Sequence, residues 1–400
     1  MTSSSETCVR VAIACGGTGG HLFPGLAVAG QLQRRGCAVT LLISPKEVDQ
    51  QGVRSATGMK IATLPAVGLT QGNKLAFFRG FRDSYRAAKE LFATERPQAA
   101  LAMGGFTSAP PILAARRAGA QSFLHESNAV AGRANRWLSL VVDRAFIGFP
   151  AASARLHNRN VTVTGTPVRP EFVSTSVAEC RSALGLDPAR PVLLVMGGSQ
   201  GASGINELVT RSLPLVAPRL PELQWIILTG PADAEKVRTA CAELKLNAVV
   251  HGFFDRMELT LGAATAAISR AGASSLAELA AMRVPAILIP YPAATDQHQL
   301  LNAREFATTG AARLIEQNIA TPAALSQSIV DLVHSATERE RMKESLARWH
   351  TPRAAEIIAD GILQALGFPA GGRVDSRAAR TGGPEADEPN SGAWQQQAVA

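Results

Sequence analysis

The residues best suited to chemistry lie in four segments, each directly after an apolar run. Gly16 to His21 reads GGTGGH. Glycines there let main-chain N–H groups come close to a ligand, and a helix starting behind them favours an anion. His21 stands at that predicted helix start, where the helix dipole disfavours the protonated ring and keeps it neutral, as a general base requires. Gly104 to Pro110 (GGFTSAP) and Gly197 to Ala202 (GGSQGA) repeat the pattern, and Ser199 adds a hydroxyl suited to a phosphate. In the fourth segment, Ser269 to Ala303, residues Gly272, Ala273, Ser274 and Ser275 open a predicted helix and offer amides and hydroxyls to a diphosphate. Glu278 follows Ser274 by four residues, on the same helix face, where a carboxylate can accept both ribose hydroxyls of a nucleotide. Asp296, His298 and Gln299 form a polar cluster suited to sugar hydroxyls. Plainer readings stand beside these: a ligand-free turn, a structural histidine, a helix-face charge, a solvated loop. Several such turns at strand ends, facing one cleft, favour the functional reading.

The same segments exclude other chemistries. A dinucleotide fingerprint needs a glycine or alanine where Leu22 stands, and an acidic residue where Ser44 and Pro45 end the second strand. There is no Asp-x-Asp pair to carry a metal-bound diphosphate and no Gly-x-x-x-x-Gly-Lys-Ser/Thr loop.

These turns must be held at strand ends, and the pattern supplies the strands. Val9–Cys15 is a nearly continuous apolar run, as in a strand buried on both faces of a parallel sheet. A helical stretch ending at Gly36 and a strand at Ala38–Ile43 complete a βαβ unit. Further strands are expected at Gln98–Met103, Gln121–His125 and Arg144–Ile147. The alternation restarts at Pro191–Met196 and continues through Leu223–Thr229, Ala248–His251, Ala264–Ser269 and Ala286–Ile289. The expected architecture is α/β, with two doubly wound Rossmann-like domains facing a cleft. TGTPVRP (164–170) breaks both helix and strand and marks the boundary. The first domain is expected to span 8–167 and the second 168–350, with a helix within 351–367 returning to the first. Residues 369–400, rich in Gly, Pro, Arg and Gln, read as a disordered tail.

The chain has 400 residues, enough for two cores, and a formal net charge of +8, which suits an anionic substrate or membrane face. Aromatic residues are 5%, too sparse for the stacking platforms of single-stranded nucleic acid, so no nucleic-acid partner is expected. Cys8, Cys15, Cys37, Cys180 and Cys241 are odd in number and lack Cys-x-x-Cys spacing, which argues against disulfides and zinc and suits a reducing compartment. No basic segment precedes the first apolar run, so no signal peptide is expected, and no run reaches bilayer-spanning length. NKLAFFRGFRDSYR (73–86) mixes Phe77, Phe78 and Phe81 with Lys74, Arg79, Arg82 and Arg86. It reads equally as a membrane-surface contact and as a core helix with a basic outer face.

Together, GGTGGHLFPGLAVA (16–29), MGGFTSAP (103–110), HESNAVAGRAN (125–135), GTPVR (165–169), GGSQGA (197–202) and the Ser269–Ala303 segment resemble the MurG family, the UDP-N-acetylglucosamine transferases of peptidoglycan synthesis. The resemblance runs from about Val9 to Leu366. It implies a B-type glycosyltransferase, inverting, metal-independent and without a cofactor. UDP-N-acetylglucosamine would lie mainly in the second domain. Ser199 and the amides of Ala273, Ser274 and Ser275 would hold its diphosphate, Glu278 its ribose, and the backbone near Phe254 its uracil. Arg169 would face the diphosphate from the domain junction, and Asn128 and Gln299 would meet the sugar with His298 beside them. Thr18, Gly19 and Gly20 would lie near the donor and the diphosphate of the acceptor, undecaprenyl-diphospho-N-acetylmuramoyl-pentapeptide. The base is expected to be His21, with Glu126 second. The resemblance also implies a peripheral enzyme on the cytoplasmic side of the inner membrane, with the anionic membrane surface and other cell-wall enzymes as partners. The chain departs from the family where LTQGN follows Gly68, in place of an arginine and a lysine between glycines. The alternatives are a related UDP-sugar transferase or epimerase with another acceptor, and a non-catalytic membrane-surface module.

Overall fold

In the computed structural model, residues 8–53, 56–65, 74–198 and 201–374 are described. Ser199 and the LTQGN segment fall outside them.

Among the described residues the chain forms two parallel sheets. The first has seven strands: β1 (Arg10–Ala14), β2 (Ala38–Ile43), β3 (Lys60–Thr63), β4 (Ala99–Ala102), β5 (Gln121–Glu126), β6 (Arg144–Ile147) and β7 (Val161–Val163), in the order β3-β2-β1-β4-β5-β6-β7. The second has six: β8 (Val192–Met196), β9 (Gln224–Leu228), β10 (Ala248–His251), β11 (Ala266–Ser269), β12 (Ala286–Leu288) and β13 (Ala312–Leu314), in the order β10-β9-β8-β11-β12-β13. The expected strands are all present. The three that the sequence did not signal, β3, β7 and β13, are sheet edges of three or four residues, and β3 is largely exposed (KIAT). An edge strand covered on few sides needs no continuous apolar run.

In each sheet the strand order reverses once, between β1 and β4 and between β8 and β11. Open α/β sheets bind ligands at the carboxyl ends of the strands beside such a reversal. The four chemistry-bearing segments follow β1, β4, β8 and β11, so both sheets place them at their switch points.

The C-terminal helix Ala354–Ala365 packs on the first domain: Ala355, Ile358, Ala359, Ile362 and Leu363 join one buried cluster with Val28, Leu32, Leu101 and Phe146. The described chain runs a few residues into the expected tail: Val374 N–H donates to Arg35 O (2.8 Å), and Phe368 and Val374 pack on the same cluster, while 375–400 lie outside the described residues. At the junction Phe149, Phe306 and Trp349 stack with ring centroids 4.5–6.0 Å apart. Where the chain crosses back, Gly165 has φ +78°, and a Cβ there would lie 1.7 Å from Thr351 Oγ1. Gly165→Ala is expected to lower stability by about 2–4 kcal/mol, combining backbone strain with overpacking. The control is Gly185→Ala, at φ +72° in open space, which incurs the backbone part alone, about 1–2 kcal/mol. Equal losses in denaturant melts would show that the Thr351 contact is unimportant.

Candidate active site

One cleft of about 1800 Å³ lies between the domains. From the first domain Thr18, Gly19, Gly20, His21, Glu126 and Asn128 line it; from the junction comes Arg169. From the second come Phe254, Ala273, Ser274, Ser275 and Glu278, with His298 and Gln299 beyond them. Every expected site residue within the described chain therefore reaches one space.

The helix starts come first. Helix Gly19–Arg34 begins with no side-chain cap at Thr18 and no acidic residue in its first turn, and helix Ala273–Met282 begins the same way behind Gly272. Their first amides lack helical partners and remain available to an anion. The two starts meet across the cleft, where Ser274 Oγ donates to Gly20 O (3.1 Å). Helix Ser203–Val216, which follows Ser199 in the chain, is likewise uncapped and without a first-turn acid.

The GGTGGH turn is shaped by a residue that the sequence reading missed. Asp49 is fully buried; its Oδ2 accepts from Gly17 N–H (2.6 Å), Ser44 N–H (3.1 Å) and Ser44 Oγ, while Oδ1 has no partner. Lys46 Nζ donates to Gly17 O (3.0 Å). No motif announces Asp49, because its contact with the turn is to the main-chain N–H of Gly17, 32 residues away in sequence.

His21 lies flat against the GGF turn. Gly104 has φ +109°, and a Cβ on it would come within 3.0 Å of the imidazole, so only glycine leaves the slot open. His21 Nδ1 is 3.1 Å from Thr18 Oγ1, and among the described residues no hydrogen bond is made to Nε2. Burial lowers its pKa, against the opposing charge of Glu126, and the ring is neutral near pH 7. The sequence reading expected neutrality from the helix dipole; desolvation is the largest cause, and the nearby His298 and Lys46 add to it.

Glu126, the second candidate base, is saturated. Oε1 accepts from Asn128 N–H (2.9 Å) and Asn128 Nδ2 (2.9 Å). Oε2 accepts from Gly132 N–H (3.0 Å) and Asn135 Nδ2 (2.9 Å). Asn128, expected at the sugar, has its amide engaged on both sides: Nδ2 donates to Glu126, and Oδ1 accepts from Asn302 Nδ2 (3.1 Å). Asn302 was also missed. It occupies an apolar-stripe position of helix His298–Thr308, three and four residues from Gln299 and His298, beside buried Ala303 and Phe306. An asparagine in such a stripe is the available sign of a buried hydrogen-bonding role.

On the second domain Arg169 lies between Phe23 and Phe172, its guanidinium carbon 4.5 and 5.0 Å from the ring centroids. Nη1 pairs with Glu171 (3.2 Å), and Nε is buried without a partner. Phe254 stacks on His251 with centroids 4.7 Å apart. Gln299 Oε1 accepts from Tyr291 N–H (2.9 Å). His298 Nδ1 lies 2.7 Å from Thr295 O; a carbonyl only accepts, so Nδ1 carries a proton. Asp296 turns to the opposite wall, pairing with Arg136 (3.0 Å) and Arg133 (3.5 Å). Among the described residues no group of three or more His, Cys, Asp or Glu is placed to ligate a metal ion.

Two domains of glycosyltransferase family 28 match the chain, the N-terminal domain over residues 11–147 and the C-terminal domain over residues 192–358. The chain is 36% identical over 397 residues to the UDP-N-acetylglucosamine--N-acetylmuramyl-(pentapeptide) pyrophosphoryl-undecaprenol N-acetylglucosamine transferase of Sorangium cellulosum (strain So ce56), covering 94% of each protein. It is 34% identical over 373 residues to the protein of the same name from Anaeromyxobacter sp. (strain K), covering 89% of this chain and 93% of that one. The crystal structure of Acinetobacter baumannii MurG matches with a TM-score of 0.71 at 28% identity, over 89% of this chain and 99% of that one. The chain belongs to the MurG family of glycosyltransferases. A UDP-N-acetylglucosamine 2-epimerase structure, with a TM-score of 0.67 at 13% identity over 92% of this chain and 99% of that one, shares the fold alone.

In this MurG-family cleft Glu278 carries a testable signature. Burial pushes its carboxyl up to about 7; Arg169 pulls it down and Glu171 pushes it further up. The folded, unliganded protein thus keeps a proton that the unfolded chain releases near 4.5. Between these values the folded state binds more protons, so this group's contribution to stability falls as pH rises. Glu278→Gln cannot titrate. Its stability relative to wild type is expected to increase from pH 4.5 to about 7 and then level off, in urea melts. A difference that is flat with pH would contradict a carboxyl that keeps its proton in the cleft.

Proposed function

We propose that this enzyme moves N-acetylglucosamine from its UDP donor to the 4-hydroxyl of undecaprenyl-diphospho-N-acetylmuramoyl-pentapeptide, turning lipid I into lipid II in peptidoglycan synthesis. The observation that carries the reading is the meeting of two uncapped helix starts across one cleft, joined at Ser274–Gly20, with a neutral histidine beside them. The full-length relatives bear the name of that reaction.

The residues divide the work as follows. The donor diphosphate rests on the amides of Ala273, Ser274 and Ser275, the Ser199 hydroxyl is assigned to the same group, and the uracil lies by the backbone of Phe254. Glu278 accepts the ribose hydroxyls, and Gln299 with His298 meets the sugar. Thr18, Gly19 and Gly20 offer the facing helix start to the acceptor diphosphate. His21 Nε2 takes the proton of the 4-hydroxyl as that oxygen attacks the anomeric carbon from the face opposite the leaving group. The anomeric C–O bond breaks with inversion, and UDP departs with its electron pair. The charge gained by the diphosphate is met by preorganised amides and by Arg169, a supply of positive potential that needs no divalent cation. Glu126 is a positioning residue: four donors from its own wall already occupy its two oxygens.

The acceptor's lipid would leave by the first-domain end of the cleft. Helix Lys74–Glu95 serves two purposes along its length: Ala88 and Phe92 are buried in the core, while Leu75 (85% exposed) and Phe78 (66%) stand out beside exposed Arg79 and Arg82. Phe77, Phe78, Phe81 and Trp137 continue this apolar face into the cleft. No helix among the described residues is long and apolar enough to cross a membrane. We assign the face to a peripheral contact with anionic lipid.

Transfer of labelled N-acetylglucosamine to a short-chain lipid I, in EDTA, tests the reading. Wild type should form product and His21→Ala should lose about 10²–10⁴-fold in kcat with UDP binding kept. The double variant Leu75→Glu/Phe78→Glu should match wild type on the short-chain acceptor and fall about tenfold or more on long-chain lipid I in anionic vesicles, since it removes two exposed apolar side chains that the membrane would otherwise bury. Donor binding without transfer would overturn the acceptor assignment. Product only with added divalent metal would overturn the metal-free mechanism, and an equal loss on both acceptors would overturn the membrane face.

A further inference from the structure

We infer that Asn302 is a positioning residue that locks the donor turn of the second domain to the acceptor wall of the first, so that transfer proceeds only while this clasp is made. The inference builds on the donor and base assignments above.

Asn302 is fully buried and uses its whole amide. Oδ1 accepts from Ala129 N–H (2.8 Å), across the domain boundary. Nδ2 donates to Asn128 Oδ1 (3.1 Å), also across the boundary, and to Ala271 O (3.1 Å) within its own domain. Ala271 directly precedes Gly272, the residue from which the diphosphate-facing helix begins. Asn128 passes the connection on: its Nδ2 donates to Glu126 Oε1, and Glu126 Oε2 is held by Asn135, whose Nδ2 also donates to His125 O (3.1 Å). An unbroken hydrogen-bonded chain thus runs from the donor turn to Asn135, whose amide lies beside the Gly104 slot that holds His21. Asn302 also sits one helical turn from Gln299 and His298, so the same side chain fixes the height of the sugar-facing residues.

The chemistry requires an amide. Two carbonyl oxygens face Nδ2 and one N–H faces Oδ1. An isosteric carboxylate would set an anionic oxygen against Ala271 O and Asn128 Oδ1, both acceptors, and drive the walls apart. Alanine would leave Ala271 O, Asn128 Oδ1 and Ala129 N–H without partners. Either change acts on the distance between the acceptor hydroxyl and the anomeric carbon, while the nucleotide contacts, all in the second domain and at Arg169, are left in place. Misplacement of this kind lowers turnover by about 10- to 100-fold.

Four variants test this: Asn302→Asp, Asn302→Ala, Asn128→Ala and the double Asn302→Ala/Asn128→Ala. For each, UDP affinity is measured by calorimetry and kcat with the short-chain acceptor. UDP affinity should change less than about threefold while kcat falls about tenfold or more, more in Asn302→Asp than in Asn302→Ala. The double variant should be no slower than Asn302→Ala, because both substitutions cut the same link. Independent, multiplying effects on kcat would overturn the proposal, as would parallel losses of UDP affinity and kcat, or near-normal turnover. If Asn302→Asp fails to fold, the alanine cycle decides. Normal turnover in the Asn302 variants with a dead His21→Ala would remove the clasp and leave the base assignment standing.

Discussion

A single carboxylate organises the first-domain side of the cleft. Glu126 ends β5 and accepts four hydrogen bonds, two from Asn128 and one each from Gly132 and Asn135. A buried carboxylate is tolerated when donors surround it, and here they come from the loop after β5 and from the short helix Arg133–Leu138 that follows it. The path of residues 127–135 is thereby set. That path puts Asn135 near the Gly104 slot that holds His21, Asn128 against Asn302, and Arg136 opposite Asp296. Both the base and the domain contacts depend on this one hydrogen-bonded carboxylate.

The second organising constraint is topological. Each sheet reverses its strand order once, and both reversals open onto the same cleft. Helices that start there aim unpaired amides at the space between the domains, supplying positive potential from backbone alone. An enzyme built this way can meet the charge of a leaving diphosphate with groups that scarcely reorganise during reaction. Asp49 stiffens one such turn from beneath through Gly17, and the Ser274–Gly20 contact holds the two starts in register.

The fold was legible in the sequence because buried parallel strands are continuous apolar runs, and β1, β8 and β11 read as such. The edge strands β3, β7 and β13 were not, because sheet edges do not need that pattern. The helix at 74–95 defeated a single reading for a physical reason, since its first turn faces outward and its last turns are core. Within the site, residues on glycine-rich turns were legible, because close backbone approach leaves a mark in composition. Asp49, Asn135 and Asn302 act through main-chain groups or through other side chains and leave little such mark. Asn128 was located correctly in the cleft, yet its amide is committed to Glu126 and Asn302 in a manner that spacing along the chain does not express.

The central claim is that His21 removes the proton and Glu126 only shapes the wall. The most direct test is the pH dependence of kcat with both substrates saturating, in wild type, His21→Ala and Glu126→Gln. The account predicts that wild-type kcat climbs with pH as the imidazole loses its proton, that Glu126→Gln keeps this limb at a lower overall rate, and that His21→Ala abolishes it. A limb that survives in His21→Ala and disappears in Glu126→Gln would make Glu126 the base and contradict the account.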